Sequence, residues 1–282
     1  NEPAVSLDAS KNFRQLDSKT PGHPEYHWTS GVETTTGPLG QGLATSVGMA
    51  MAERWLAAYF NRPGFELFKY NVYSVCGDGC MMEGISNEAA SLAGHLKLSN
   101  LCWIYDNNRI TIEGHTSLAF SEDVATRFIG LGWNVTRVGD ANDLDMIERG
   151  INSFLHNNDK PTLIIIDSLI AWGVPGKEDH HSAHGEPLGD AAIKAAKINY
   201  GLDPDKTFDV QDGVYQHFQD LLGKRGAEAS ASWNKLFQDY KKAYPELAKQ
   251  LELMEKRQLP EGWDKDIPTF PADPKGKAGR NA

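Results

Sequence analysis

Long apolar runs are missing from this chain of 282 residues. No stretch approaches the ~20 residues that a helix needs to cross a bilayer, and the first residues are too polar for a secretory leader. No membrane partner is expected. Basic charge is also scarce: 28 Lys and Arg stand against 38 Asp and Glu, giving a net charge of −10 and a pI near 5.4. Without a basic run or aromatic-basic interleaving, nucleic acid is excluded as an expected partner. Cysteine is limited to Cys76, Cys80 and Cys102. Three thiols cannot all pair and these have no zinc spacing, so a reducing cytoplasm is the expected home. No internal repeat is visible.

What is present suits an ordinary globular protein. With 40% hydrophobic and 23% charged residues the chain can bury a substantial core, in one or two domains. Helical patterns at Leu39 to about Tyr59, Gly84 to Leu96, Asp123 to Leu131 and Asp143 to about Asn157 alternate with β-type runs at 71–76, 101–105, 134–138 and 162–169. Such alternation predicts an α/β fold, a mainly parallel, doubly wound sheet with helices on both faces. In the helix from Asp143, capped by Asn142 or Asp143, the repeat Leu144, Ile147, Ile151 and Leu155 predicts a core face. After Gly201 the pattern is helical only, around Val210 to Leu222 and Ala229 to Arg257. There Trp233, Leu236, Phe237, Tyr240, Tyr244 and Leu247 form one stripe. The expected organisation is an α/β domain over 1–205, a helical appendage packing on it over 206–258, and a proline-rich interdomain linker over 259–282.

The most informative stretch is Gly77-Asp78-Gly79. It closes the β-branched and aromatic run Asn71 to Cys76, as a buried parallel strand ending in a tight turn would. A second apolar strand, Leu101 to Tyr105, ends in Asp106-Asn107-Asn108. Ligands of open α/β sheets gather at such strand ends. A carboxylate and an amide delivered to one place suit a small hard cation that takes its remaining oxygens from phosphate and water. Each triplet alone also reads as an ordinary turn; together they predict a magnesium-diphosphate site.

These motifs, with Ser18 to Glu25, Gly31 to Gly42, Gly77 to Gly84, Tyr105 to Gly114 and Ser182 to Gly189, occur in the order found in transketolases, and the chain resembles that thiamine diphosphate-dependent family. The resemblance implies that Asp78, Asn108 and the Ile110 carbonyl ligate Mg2+, with Ca2+ or Mn2+ as substitutes, and that the Gly79 amide holds a phosphate oxygen. It places Gly37 and Leu39 against the pyrimidine of thiamine diphosphate, and Ile112 on the thiazolium. His23 would hydrogen-bond the donor ketose, and His184 would reach both diphosphate and a substrate hydroxyl. Glu83 and Glu88 would face a homodimer interface and link the two cofactors. The loop from Gly173 to His180 matches the family poorly, which leaves the roles of Lys177, His180 and His181 open.

The implied reaction is reversible transfer of a two-carbon ketol group from a ketose phosphate to an aldose phosphate through a thiamine diphosphate carbanion. Against the family, the chain lacks the early histidines, the pyrimidine-binding domain with its catalytic glutamate and the small C-terminal domain. It is expected to be part of an enzyme that needs the pyrimidine-binding domain, in the same or a separate chain, and to bind weakly without turnover when alone. Dihydroxyacetone synthase, half of another thiamine diphosphate enzyme, and a non-catalytic cofactor-binding module are the alternatives.

Overall fold

Two central β-rich runs, Leu101–Asn107 and Thr162–Asp167, are mostly apolar and buried on both faces, whereas the outer runs leave Tyr73, Val75 and Arg137 exposed. The computed structural model describes residues 4–281. In chain order the first elements are α1 (Leu7–Lys11), α2 (Gln41–Phe60), β1 (Val72–Gly77), α3 (Asp78–Met82), α4 (Gly84–His95) and β2 (Leu101–Asn107). A short hairpin of β3 (Ile110–Thr111) and β4 (Gly114–His115) follows, then α5 (Val124–Gly130), β5 (Asn134–Val138), α6 (Leu144–Leu155), β6 (Thr162–Asp167) and α7 (Asp190–Asn199). The remaining helices are α8 (Val214–Phe218), α9 (Lys224–Ala243) and α10 (Pro245–Glu255). The main sheet has the order β1-β2-β6-β5 and every neighbouring pair is parallel. The doubly wound α/β class expected from the sequence is the fold observed.

Side chains alternate across the sheet, and each set has its own core. Trp103, Tyr105, Leu163 and Ile165 point to a cluster with Leu43, Val47 and Ala50 of α2, Ala89, Ala90 and Ala93 of α4, and Val124 and Phe128 of α5. The intervening Cys102 and Ile164 pack with Phe154 of α6 on the other face. Buried indoles need partners for their N–H: Trp103 Nε1 donates to Ser46 Oγ at 2.9 Å and Trp133 Nε1 to the Ala90 carbonyl at 2.8 Å. At Gly94 a Cβ would lie 1.9 Å from the Leu131 carbonyl, so only glycine permits that approach.

Helix α6 corrects the expected face. Asp143 is the cap, accepting the Met146 N–H at 2.9 Å, but Leu144 and Leu155 are 77% and 50% exposed. The buried stripe is Ile147, Gly150, Ile151 and Phe154, because Phe154 and not Leu155 completes the turn that meets the sheet. Helix α7 lies in a stretch where the apolar pattern predicted none.

The chain divides into two compact units, one of residues up to Tyr59 with Phe68–Val214 and one of Phe60–Leu67 with the residues from Tyr215 onward. In the second unit α8 runs through a π-helical turn, Gln219–Gly223, into α9. Tyr240, fully buried, donates its hydroxyl hydrogen to the Phe60 carbonyl at 2.7 Å, and Trp233 Nε1 donates to the Leu67 carbonyl at 2.9 Å. The single helix expected over 229–257 is broken at Tyr244, whose φ and ψ are −136° and 64°. Pro245 explains the break: it lacks an N–H to continue α9 but suits the first turn of α10.

Candidate cofactor-binding site

Parallel pairing in register sets Gly77 beside Asp106 at the ends of β1 and β2. Asp78, the next residue, opens α3 and is only 3% exposed. Its Oδ2 accepts the backbone N–H of Arg109 at 3.0 Å, and its Oδ1 accepts the Tyr105 hydroxyl at 2.6 Å. The residue after Asn108 is therefore tied directly to the Asp78 carboxylate, and the two strand ends meet as the sequence required. Asn108 is half-buried and makes an Asx turn, its Oδ1 accepting the Ile110 N–H at 3.0 Å while its Nδ2 donates to Asp106 Oδ2 at 3.1 Å. Burial pushes the Asp78 carboxyl above its ordinary range, against the opposing effect of the Tyr105 and Arg109 hydrogen bonds. The Tyr105 phenol is also pushed up, by burial first and then by the Asp78 carboxylate beside it.

The Gly37-to-Gly42 loop packs against this corner. A Cβ at Gly79 would meet Leu39 Cδ1 at 3.0 Å, and one at Gly40 would meet Ile85 Cγ2 at 2.8 Å and Ser86 Oγ at 2.9 Å. Gly37 and Gly40 have φ of +61° and +81°, values that L side chains rarely adopt. Leu39 and Ile112, at the tip of the β3-β4 hairpin, hold apolar side chains 55% and 68% exposed. Gly79 lies in the first turn of α3, where backbone N–H groups have no partner within the helix.

Neighbouring polar residues brace the crevice. Arg137 of β5 forms a two-point pair with Asp167 of β6, both contacts 2.9 Å, and Asn107 Nδ2 donates to Asp167 Oδ1 at 2.6 Å. Burial pushes the Asp167 carboxyl up, but Arg137 and Asn107 outweigh it and hold the carboxyl below its usual range. A cavity of about 250 Å³ is lined by Asp78, Tyr105, Arg109 and Arg137. A second, of about 490 Å³, lies beside Asn107–Arg109 and reaches Trp172 and Asp179. Tyr105, Asp106, Arg137 and Asp167 were not among the expected site residues. The available signal was a tyrosine within a buried strand, whose hydroxyl requires a partner.

His23 is exposed in the stretch before α2, and His184 is exposed at the end of the 3-10 turn His181–Ala183. Among the described residues no hydrogen bond or ion pair ties either ring to Asp78 or Asn108. In the divergent loop, Lys177 Nζ donates to Ser182 Oγ at 2.9 Å, and His180 Nδ1 lies 2.8 Å from the same oxygen. Glu83, between α3 and α4, and Glu88, on α4, are both exposed.

The groups expected to ligate a cation, the Asp78 carboxylate, the Asn108 amide oxygen and the Ile110 carbonyl, are hard oxygens of the kind Mg2+ takes together with phosphate and water. Among the described residues no group of three or more His, Cys, Asp or Glu could hold a metal ion. A cation expected at Asp78 would therefore need further oxygens from a bound diphosphate, and the residues present fit that arrangement.

A parallel sheet whose carboxyl ends gather a buried carboxylate, an Asx turn and a glycine loop belongs to the class of α/β domains that take a ligand in the crevice beyond their strand ends. Comparison with known proteins narrows that class. The family model described as "Transketolase, thiamine diphosphate binding domain" matches residues 4–260. A transketolase from Geobacillus stearothermophilus is 47% identical over 268 residues, 95% of this chain and 40% of the relative. Transketolase 1 from Saccharomyces cerevisiae is 48% identical over 98% of the chain and 40% of the relative. The solved transketolase from Leishmania mexicana superposes with a TM-score of 0.90 at 41% identity, covering 95% of this chain and 40% of that one. The chain belongs to the transketolase thiamine diphosphate binding domain family, and it spans about 40% of the length of the curated relatives it matches.

Proposed function

We propose that this chain supplies the diphosphate- and metal-binding part of a transketolase that moves a two-carbon ketol unit between sugar phosphates, working with a pyrimidine-binding domain as a homodimer in the cytoplasm. A transketolase from Pichia stipitis, 41% identical with a TM-score of 0.89, was solved in complex with sedoheptulose 7-phosphate, which supports the substrate class. Asp78, Asn108 and the Ile110 carbonyl hold Mg2+ in this reading, and the Gly79 N–H holds a diphosphate oxygen. Leu39 and Ile112 cover the apolar rings and gain burial they lack without the cofactor. Bound thiamine diphosphate supplies a nucleophilic carbon that accepts the ketol unit. His23 orients the donor ketose at its first hydroxyl and carbonyl, and His184 moves a proton at the substrate hydroxyl as the carbon-carbon bond breaks. Glu83 and Glu88 face the partner subunit.

The observation that supports this reading is the hydrogen bond from the Arg109 N–H to the Asp78 carboxylate, which joins the ends of β1 and β2 at one corner. The test is an assay of the full-length protein with a ketose phosphate donor and an aldose phosphate acceptor, after chelation of metal and removal of cofactor. Transfer restored only by thiamine diphosphate with Mg2+ is the expected result. Absence of transfer under those conditions overturns the reading, and preference for formaldehyde as acceptor would assign a dihydroxyacetone synthase instead.

A further inference from the structure

Asn108 can present either its oxygen or its NH2 group to a cation, and only the oxygen serves as a ligand. The end of β2 decides between them. Asp106, half-buried, accepts Asn108 Nδ2 on Oδ2 at 3.1 Å and the Ser168 hydroxyl on Oδ1. A carboxylate only accepts hydrogen bonds, so it admits the nitrogen of Asn108 and rejects its oxygen. The Ile110 N–H, donating to Asn108 Oδ1 at 3.0 Å, enforces the same orientation from the other side. An amide oxygen has two lone pairs, so Oδ1 can accept Ile110 and still coordinate an ion. Asp106 is itself fixed in register, beside Gly77 of β1 and Ile166 of β6, and Ser168 follows directly from the end of β6.

We propose that Asp106, held by Ser168, is a positioning residue that orients the Asn108 amide for metal coordination and does not itself bind the metal. This rests on the cofactor reading above. In it, the ends of three neighbouring strands cooperate: Asp78 just after β1 provides the carboxylate, Asn108 just after β2 the amide, Asp106 of β2 the orienting acid, and Ser168 just after β6 the hydroxyl that fixes that acid.

The test is calorimetric titration of Mg2+ into the full-length protein at saturating thiamine diphosphate, comparing native protein with Asp106→Ala, Asp106→Asn and Ser168→Ala. Loss of an outer partner of a metal ligand weakens metal affinity by about 10–100-fold, and that is the expected result for Asp106→Ala. Asp106→Asn retains an oxygen for Asn108 and turns its NH2 to the Ser168 oxygen, so it should stay within about threefold of native. Ser168→Ala should fall between them, and it decides the matter if Asp106→Ala does not fold. Native affinity in Asp106→Ala, or in Ser168→Ala should the former not fold, overturns the proposal. An Asp106→Asn variant as weak as Asp106→Ala also overturns it, by showing that negative charge and not orientation matters. If native protein shows no metal-dependent cofactor binding and Asp78→Ala behaves identically, the cofactor reading itself fails and this proposal with it.

Discussion

The ends of β1 and β2 differ sharply from the loops that carry His23 and His184. At the strand ends, buried Asp78 already engages Tyr105 and Arg109, while Asn108 is held by Asp106 and Ile110. Both histidines are exposed, and among the described residues neither ring is tied to that corner. The sheet's own register therefore builds the corner proposed to anchor the cofactor, whereas no hydrogen bond or ion pair among the described residues ties the histidines to it. Binding and turnover should separate along this line when residues are changed.

The largest effect is expected for Asp78→Ala. Removing the one carboxylate in the donor set should weaken metal-dependent thiamine diphosphate binding by more than about 100-fold and abolish transfer with it, as calorimetry and a transfer assay on the full-length protein would show. His23→Ala should instead leave cofactor affinity intact while turnover falls by about 10²–10⁴-fold. Cofactor affinity reduced as far as in Asp78→Ala would erase the distinction between the regions. His184→Ala should lower both, with turnover the more affected.

Tyr105→Phe sharpens the comparison from inside the sheet. It removes the hydroxyl donor to Asp78 without emptying the core, and metal affinity should weaken by about tenfold. Unchanged affinity would mean that the carboxylate needs no brace from β2.

The smallest effect concerns Asp167, which faces Arg137 across the sheet, Asn107 on β2 and the more distant charge of Arg109. Its folded pKa is lowered, so its stabilisation is present above the unfolded value of about 3.9 and is lost as pH falls through the folded value. Asp167→Asn should thus lower the thermal midpoint of the cofactor-free protein near neutral pH, and the difference from native should shrink below about pH 4. A difference that persists undiminished at low pH would show that ionisation of Asp167 is not its source.

Much of this was legible before coordinates. Apolar strands stopping at Gly77 and Tyr105 announce strand ends, and turn-forming Asp, Asn and Gly there announce a ligand site. The less visible parts depend on partners distant in sequence. Nothing local links Arg137 to Asp167 or Ser168 to Asp106, because those pairs exist only once β5, β6 and β2 align in register. Helix α6 misled for another reason: Leu144 and Leu155 keep helical spacing with Ile147 and Ile151, yet the sheet contacts a stripe turned toward Phe154. Pro245 was a readable stop signal, outweighed by an apolar stripe that runs on past it to Leu247 of α10.

Diffraction from crystals of the full-length protein grown with thiamine diphosphate and Mn2+, recorded at the manganese edge, would locate the cation relative to the ends of β1 and β2. One anomalous peak per active site is expected at ligand distance from the Asp78 carboxylate, Asn108 Oδ1 and the Ile110 carbonyl. A peak remote from all three, for instance among Asp140, Asp167 and Asp179 of the neighbouring cavity, would contradict it.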